Sequence, residues 1–206
     1  MDKYAVIQQI MKTKVVAVIR GQTGEEAVQL SKAAIEGGIR AIELTYTTPA
    51  IADVFRELQH TDALLGAGSV MDSETARHAI LAGAKFVVSS HFIESVAELC
   101  NRYGVPYMPG CMTIREMALA LEAGCDVLKL FPANHFAPSV IKSVNGPLPN
   151  ARIMPTGGIN LDNVQEWLKA GAVAAGIGND LNKAFQSGGY EAVVELSKQY
   201  MQKSAE

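Results

Sequence analysis

The chain has 206 residues, which suits one domain with a substantial core and leaves little length for a second module. Apolar residues make up 49% and charged residues 19%, ordinary values for a globular protein. The net charge of -3, without a long basic run, argues against nucleic acid or an anionic membrane as a partner. We therefore expect a single domain over residues 1–206 that binds a small molecule.

The first twenty residues mix charged and polar side chains with apolar ones and lack the apolar core of a signal peptide. No stretch approaches the roughly eighteen apolar residues that a membrane span requires. The cysteines Cys100, Cys111 and Cys125 show no spacing typical of a disulfide framework or a zinc site. These features predict a cytoplasmic protein with no membrane partner.

Apolar, strand-like runs alternate with amphipathic, helix-like segments along the chain. A glycine closes a helical pattern and opens an apolar run five times, as expected of helix C-caps that precede strands. The candidate strands are 15–19, 41–45, 64–68, 86–89, 106–108, 127–131, 152–156 and 173–177. The candidate helices are 4–11, 24–36, 50–59, 73–81, 93–103, 113–123, 138–144, 161–170 and 190–203.

Eight strands alternating with helices predict an α/β fold, specifically a (β/α)8 TIM barrel with an extra N-terminal helix. An open doubly wound sheet is the main alternative, but it usually has fewer strands and a glycine fingerprint in its first turn, which this chain lacks. In a barrel the active site lies at the carboxyl ends of the strands, so the residues there are the candidates.

Lys129 lies in the middle of the apolar run 126–132, which Pro132 ends. Burial disfavours the charged form of a lysine, and a neutral lysine can attack a carbonyl carbon to form a Schiff base. A structural lysine that reaches the rim of the sheet or pairs with a carboxylate fits this stretch equally well.

Glu43 is a second ionisable residue inside an apolar strand. The two-residue period of a strand places Glu43 on the same face as Ala41 and Thr45, and Lys129 on the same face as Phe131. A buried ion pair would be the structural explanation of both charges. Because such a pair is costly, we favour a general acid/base beside an imine-forming lysine.

Further polar groups follow other strands. Arg20, after the first strand, can bind a carboxylate or phosphate in bidentate fashion, although it could equally be a solvated rim residue. Ser69 places a hydroxyl after glycines that permit close backbone approach to a ligand, and capping of the next helix is its structural alternative. The histidines have no acidic partner at ligand spacing, so no metal site is predicted.

Two glycine loops follow the last two strands. They contain Thr156, Gly157 and Gly158 in one case and Gly178 and Asn179 in the other. Backbone N–H groups in such loops commonly form the phosphate site of a barrel, although tight turns also need glycine.

Five segments at the predicted strand ends together resemble the class I 2-keto-3-deoxy-6-phosphogluconate (KDPG) and 2-keto-4-hydroxyglutarate (KHG) aldolases. They are Ile42-Glu43-Leu44-Thr45, Gly66-Ala67-Gly68-Ser69-Val70, Tyr107-Met108-Pro109-Gly110, Lys129-Leu130-Phe131-Pro132-Ala133 and Pro155-Thr156-Gly157-Gly158-Ile159. The resemblance implies that Lys129 is the Schiff-base lysine, that Glu43 is the general acid/base, and that no metal or organic cofactor is needed. It also implies a homotrimer.

The resemblance further implies that Ser69 replaces a threonine that contacts the pyruvate carboxylate, and that Arg20 is the arginine that binds this carboxylate. Many relatives have serine in the last glycine loop, where this chain has Asn179 followed by Asp180. Because an added acid disfavours a phosphate unless it points away, an unphosphorylated 2-keto-3-deoxy sugar acid is an alternative substrate. A sugar-phosphate isomerase or epimerase and a non-catalytic sugar-acid binder are less favoured alternatives.

Overall fold

The computed structural model describes residues 2–205. Helices and parallel strands alternate through this range. Their order is α1 (Lys3–Thr13), β1 (Val15–Ile19), α2 (Gly24–Glu36), β2 (Ala41–Thr45), α3 (Ile51–Leu58), β3 (Leu64–Gly68), α4 (Ser73–Ala82), β4 (Val87–Val88), α5 (Glu94–Tyr103), β5 (Tyr107–Met108), β6 (Gly110–Cys111), α6 (Ile114–Glu122), β7 (Leu128–Leu130), α7 (Val140–Asn145), β8 (Ile153–Pro155), α8 (Val164–Lys169), β9 (Ala175–Ile177) and α9 (Asn179–Ala205). A 3₁₀ turn, Ala133–His135, follows β7.

The strands form two parallel sheets, which makes the fold α/β. One sheet has six strands in the order β5-β4-β3-β2-β1-β9, and the other has the order β6-β7-β8. The sheets meet at two places. Pro109 alone separates β5 from β6, and its carbonyl accepts a hydrogen bond from Lys129 N at 2.9 Å. At the other end of the three-stranded sheet, Thr156, which follows β8, forms a parallel bridge with Gly176 of β9.

Local sequence explains where several helices begin and end. The Thr23 hydroxyl accepts a hydrogen bond from Glu26 N at the start of α2, and Thr113 forms a reciprocal capping box with Glu116 at the start of α6. Gly83 ends α4 with φ 109°, a left-handed conformation that glycine adopts without steric cost.

The core divides into two clusters by strand alternation. One cluster packs strand residues such as Ile42 and Leu128 against the surrounding helices. The other, here called the α1 cluster, packs Val6, Ile7 and Ile10 of α1 against residues of the opposite strand faces. Its strand-side members are Val16, Ala41, Leu64, Phe86, Val88, Met108, Val127, Met154 and Ala174.

The predicted bounds of the first three strands agree with the structure, whereas the later strands are shorter than predicted. The predicted strand 106–108 is followed by a second short strand, because Pro109 has no N–H for the ladder. The sequence also predicts a loop where α9 begins. Instead, Asn179 is the first residue of a helix whose backbone breaks at Gly189, with φ 66° and ψ -153°.

Candidate active site

Lys129 and Glu43 lie together in the structure. Each is the central residue of its strand, β7 and β2 respectively. Lys129 Nζ lies 3.6 Å from Glu43 Oε1, and the two side chains are only 7% and 1% exposed. This separation is longer than a good hydrogen bond, so the pair is close but not tightly bonded. The other carboxylate oxygen, Glu43 Oε2, is buried and has no hydrogen-bond partner among the described residues, so its capacity to accept a proton or a hydrogen bond is unused by the protein.

Small residues and an aromatic ring surround this pair. A methyl group at Gly68 of β3 would overlap the Glu43 carboxylate, so glycine there lets the side chain lie against the neighbouring strand. On the opposite side, Lys129 Nζ lies 4.9 Å from the centre of the Phe131 ring, within the range of a cation–π contact. The pair is therefore held in a confined, mainly apolar setting, where charge interactions are stronger than in water.

A cavity of about 420 Å³ opens at the carboxyl ends of β1, β8 and β9. All the predicted substrate-binding residues except Ser69 line it. They are Arg20, Phe131, Thr156, Gly157, Gly158, Gly178 and Asn179. Because Phe131 lines this cavity and also contacts Lys129, the cavity lies next to the buried pair. The roles of these residues remain predictions.

One end of the cavity has the features of an anion site. Gly157 and Gly158 take φ values of 92° and 78°, which a non-glycine residue adopts only with strain. Helix α9 begins at Asn179 and directs its first N–H groups and its positive dipole end toward this region. Thr156 is 6% exposed, and its Oγ1 has no hydrogen-bond partner among the described residues.

Asp180 also lines the cavity, but its carboxylate is engaged from elsewhere. The Tyr200 hydroxyl donates a hydrogen bond to Asp180 Oδ2 at 2.8 Å. Burial, together with the hydrogen bond to Asp180 and its negative charge, raises the pKa of Tyr200. The phenol therefore stays protonated and remains a donor to Asp180.

Arg20 and Ser69 occupy different positions relative to the pair. Arg20 follows β1, is exposed and lines the cavity. Ser69 follows β3, immediately after the glycine that contacts Glu43, and has a left-handed φ of 56°. A non-glycine residue in that conformation is uncommon and often marks a functional position.

Among the cavity residues that sequence reasoning missed are two polar residues of α9, Asn182 and Lys183. Both lie on the first turn and a half of α9, where a loop was predicted. Asn182 Nδ2 donates to the Arg20 carbonyl oxygen at 3.1 Å, and its Oδ1 is buried without a partner among the described residues. Had the helix been recognised, the spacing of four from Asn179 to Lys183 would have placed both on one face.

Within residues 2–205, no group of three or more His, Cys, Asp or Glu side chains is arranged to hold a metal ion. In the same range, no helix is both long and apolar enough to cross a membrane.

A parallel α/β fold that buries a lysine beside a glutamate within its strands, next to a polar cavity at the strand ends, fits an enzyme whose lysine attacks a carbonyl group. The family model "KDPG and KHG aldolase" matches residues 6–196. The chain belongs to this family. It is a class I aldolase, a carbon–carbon lyase.

Named relatives match over most of their length. The chain is 36% identical over 202 residues to the 2-dehydro-3-deoxy-phosphogluconate aldolase of Treponema pallidum, covering 96% of each chain. It is 34% identical over 184 residues to the 2-dehydro-3-deoxy-6-phosphogalactonate aldolase of Escherichia coli, covering 85% of this chain and 88% of the relative.

A solved structure is also similar over nearly the whole chain. The KDPG aldolase of Legionella pneumophila, with pyruvate captured as a covalent carbinolamine intermediate, superposes with a TM-score of 0.82 at 28% identity. The match covers 94% of this chain and 95% of that one.

Proposed function

We propose that this aldolase cleaves KDPG to pyruvate and glyceraldehyde 3-phosphate, and KHG to pyruvate and glyoxylate. The observation that carries the proposal is the pair of buried side chains with Lys129 Nζ 3.6 Å from Glu43 Oε1, next to a cavity lined by two glycine loops and the start of α9. The names of the Treponema and Escherichia relatives support a phosphorylated 2-keto-3-deoxy sugar acid as substrate.

In this proposal Lys129 is the nucleophile. Its neutral amine attacks the C2 ketone to give a carbinolamine, and loss of water, with Glu43 transferring protons, gives a protonated imine. Glu43 then takes the proton from the C4 hydroxyl, the C3–C4 bond breaks, and its electron pair moves into the imine to form an enamine. The aldehyde leaves. Protonation at C3 and hydrolysis release pyruvate and restore the amine.

The remaining predicted residues bind the two ends of the substrate. Arg20 and Ser69 hold the carboxylate of the pyruvate half, and Phe131 packs against the reacting carbons beside Lys129. The aldehyde half extends toward Thr156, Gly157 and Gly158 of one loop and toward Gly178 and Asn179 of the other, where backbone N–H groups face the cavity. No cofactor takes part.

We also propose the architecture in which this site forms. The strands make one closed (β/α)8 barrel covering residues 1–206 as a single domain, with α1 as the extra N-terminal helix. The hydrogen bond from Lys129 N to Pro109 O and the bridge between Thr156 and Gly176 support closure, because each joins the two sheets. A homotrimer in the cytoplasm is proposed from the family resemblance alone.

Reductive trapping tests the proposed chemistry. The protein is mixed with pyruvate, reduced with borohydride and mapped by peptide mass spectrometry, and we expect a covalent adduct on Lys129. The variant Lys129→Met, which removes the amine but keeps an unbranched side chain of similar length, should form no adduct and cleave no substrate. Lys85→Met, at an exposed lysine remote in sequence, is the matched control and should behave as the wild type. An adduct on another lysine, or turnover by Lys129→Met, would refute the assignment.

A further inference from the structure

We propose that Lys183 determines substrate specificity by binding the anionic group at the aldehyde end of the substrate. The inference rests on the proposed function, since it assigns the far end of the same cavity. The anion is a phosphate in KDPG or the distal carboxylate in KHG. In both cases Lys183 would supply a positive charge that the glycine loops lack.

The position of Lys183 on α9 directs it to the cavity. It lines the cavity together with Asn179, one helical turn before it, and with the exposed side chain of Arg20. Within the described residues, neither Lys183 nor Arg20 forms an ion pair, whereas Lys198 on the same helix pairs with Glu195 at 3.3 Å. Two cations without carboxylate partners thus face one polar cavity.

Asp180 brings a negative charge to the same cavity, but a hydrogen bond holds its carboxylate. Asp180 is the acid of the first turn of α9 and would repel an anion if its carboxylate faced the cavity freely. The hydrogen bond from the Tyr200 hydroxyl holds one of its oxygens, and Tyr200 itself is fully buried. The second half of α9 thereby restrains the acid that follows Asn179.

Buried polar atoms in the cavity wall independently indicate a ligand. Thr156 is more than nine-tenths buried, and its hydroxyl oxygen has no partner among the described residues. Asn182 likewise has a buried amide oxygen without a partner, although its amide nitrogen is bonded to the Arg20 carbonyl. Because buried polar atoms in folded proteins are normally hydrogen-bonded, polar groups of a bound substrate would complete these contacts.

The geometry also separates the two ends of the substrate. The ketone carbon must reach Lys129, which is not among the residues that line the cavity beside Lys183 and the glycine loops. An anion at the aldehyde end is therefore held by groups that do not touch the reacting carbons. Losing one of these groups should weaken binding more than it slows chemistry.

Kinetics of Lys183→Met test this inference against three substrates: KDPG, KHG and unphosphorylated 2-keto-3-deoxygluconate. We expect KM for KDPG to rise about 10- to 100-fold with kcat within about threefold, as expected for loss of one charge-assisted contact. KM for the unphosphorylated substrate should not change. The matched control is Lys198→Met, on the same helix but paired with Glu195, which should leave all three KM values unchanged.

The pattern across substrates identifies the anion. A rise for KDPG alone assigns Lys183 to phosphate, a rise for KHG alone assigns it to the carboxylate, and a rise for both assigns it to either anion. An unchanged KM for both anionic substrates, or an equal rise for the unphosphorylated one, would overturn the inference.

Calorimetry measures the binding of inorganic phosphate, and this measurement does not depend on turnover. We expect Lys183→Met to weaken phosphate binding by about tenfold or more, while Lys198→Met does not. If borohydride trapping failed, the proposed function would fall, but weaker phosphate binding by Lys183→Met would still support an anion site there. Phosphate binding that is unchanged in Lys183→Met, or absent from the wild type, would contradict Lys183 as a phosphate ligand.

Discussion

The buried pair has two possible explanations, which differ in the role of Glu43. As a purely structural partner it would stabilise the ammonium form of Lys129, and such buried pairs can often be replaced without loss of stability. As an acid/base it must reach substrate atoms as well as the lysine. Its second oxygen, buried and without a partner among the described residues, is placed for that second task.

Glu43→Gln tests which explanation is correct, because the amide keeps the shape of the side chain but cannot transfer protons as a carboxylate does. We expect kcat for KDPG cleavage to fall about 10²- to 10⁴-fold. Steady-state kinetics measure this, and Glu98→Gln, at an exposed position on α5, is the control. A kcat within about threefold of the wild type would leave Glu43 a structural residue.

The sequence predicts the position of some site residues but not the backbone conformation of others. The two-residue strand period puts Glu43 with Ala41, and Ala41 belongs to the α1 cluster, whereas Ile42 belongs to the opposite face. The left-handed backbone of Ser69 could not be predicted, because a serine at that position gives no signal for a positive φ.

Among the helices, α6 shows how a short motif sets an element in place. Although burial alone would raise the pKa of Glu116, its hydrogen bonds from the N–H groups of Met112 and Thr113 and from the Thr113 hydroxyl bring the pKa below its usual value. A group whose folded-state pKa is lowered adds stability above its unfolded pKa. That stability is lost as the pH falls through the folded value.

Glu116→Gln should therefore unfold at a lower urea concentration than the wild type near pH 7. Since Glu116 is partly exposed, we expect a difference of at most about 1 kcal/mol in the free energy of unfolding. The difference should shrink as the pH falls below about 4.3, the usual pKa of an unfolded glutamate. Urea titrations from pH 3 to pH 7 measure it. A difference that stayed constant over this range would show that the capping carboxylate charge is not its source.

Element boundaries were predictable where several signals agreed. For α2, the Thr23 cap, the acidic first turn and the apolar stripe coincide, and the predicted and observed bounds are the same. For α9, Gly178, Asn179 and Asp180 have the composition of a turn, and that composition masked the helix start that brings Lys183 to the cavity. Sequence reasoning missed the proposed specificity residue, Lys183, because it missed the start of this helix.

At the level of the whole molecule, the α1 cluster ties the N-terminal helix to strands of both sheets. Val127 and Met154 enter it from the three-stranded sheet region, and Val16, Ala41 and Leu64 enter it from the six-stranded sheet. The sequence predicted the helix and a position at the bottom of the barrel, but not which strand residues contact it, because those contacts depend on which strand faces converge in space. The predicted catalytic residues lie on the same strand faces, since Glu43 follows Ala41 and Lys129 follows Val127 by two residues.

Shortening a side chain on the buried face of α1 should therefore destabilise the protein as a whole. Ile10 is fully buried in the α1 cluster, and Ile10→Ala should lower the free energy of unfolding by about 2–4 kcal/mol. Tyr4 lies on the same helix but is 69% exposed, so Tyr4→Ala should change it by less than about 0.5 kcal/mol. Urea unfolding of both variants and of the wild type measures these changes in the free energy of unfolding. If Ile10→Ala were as stable as Tyr4→Ala, α1 would be an appendage, and the strand faces beneath it would have to be held together by the strands and outer helices alone.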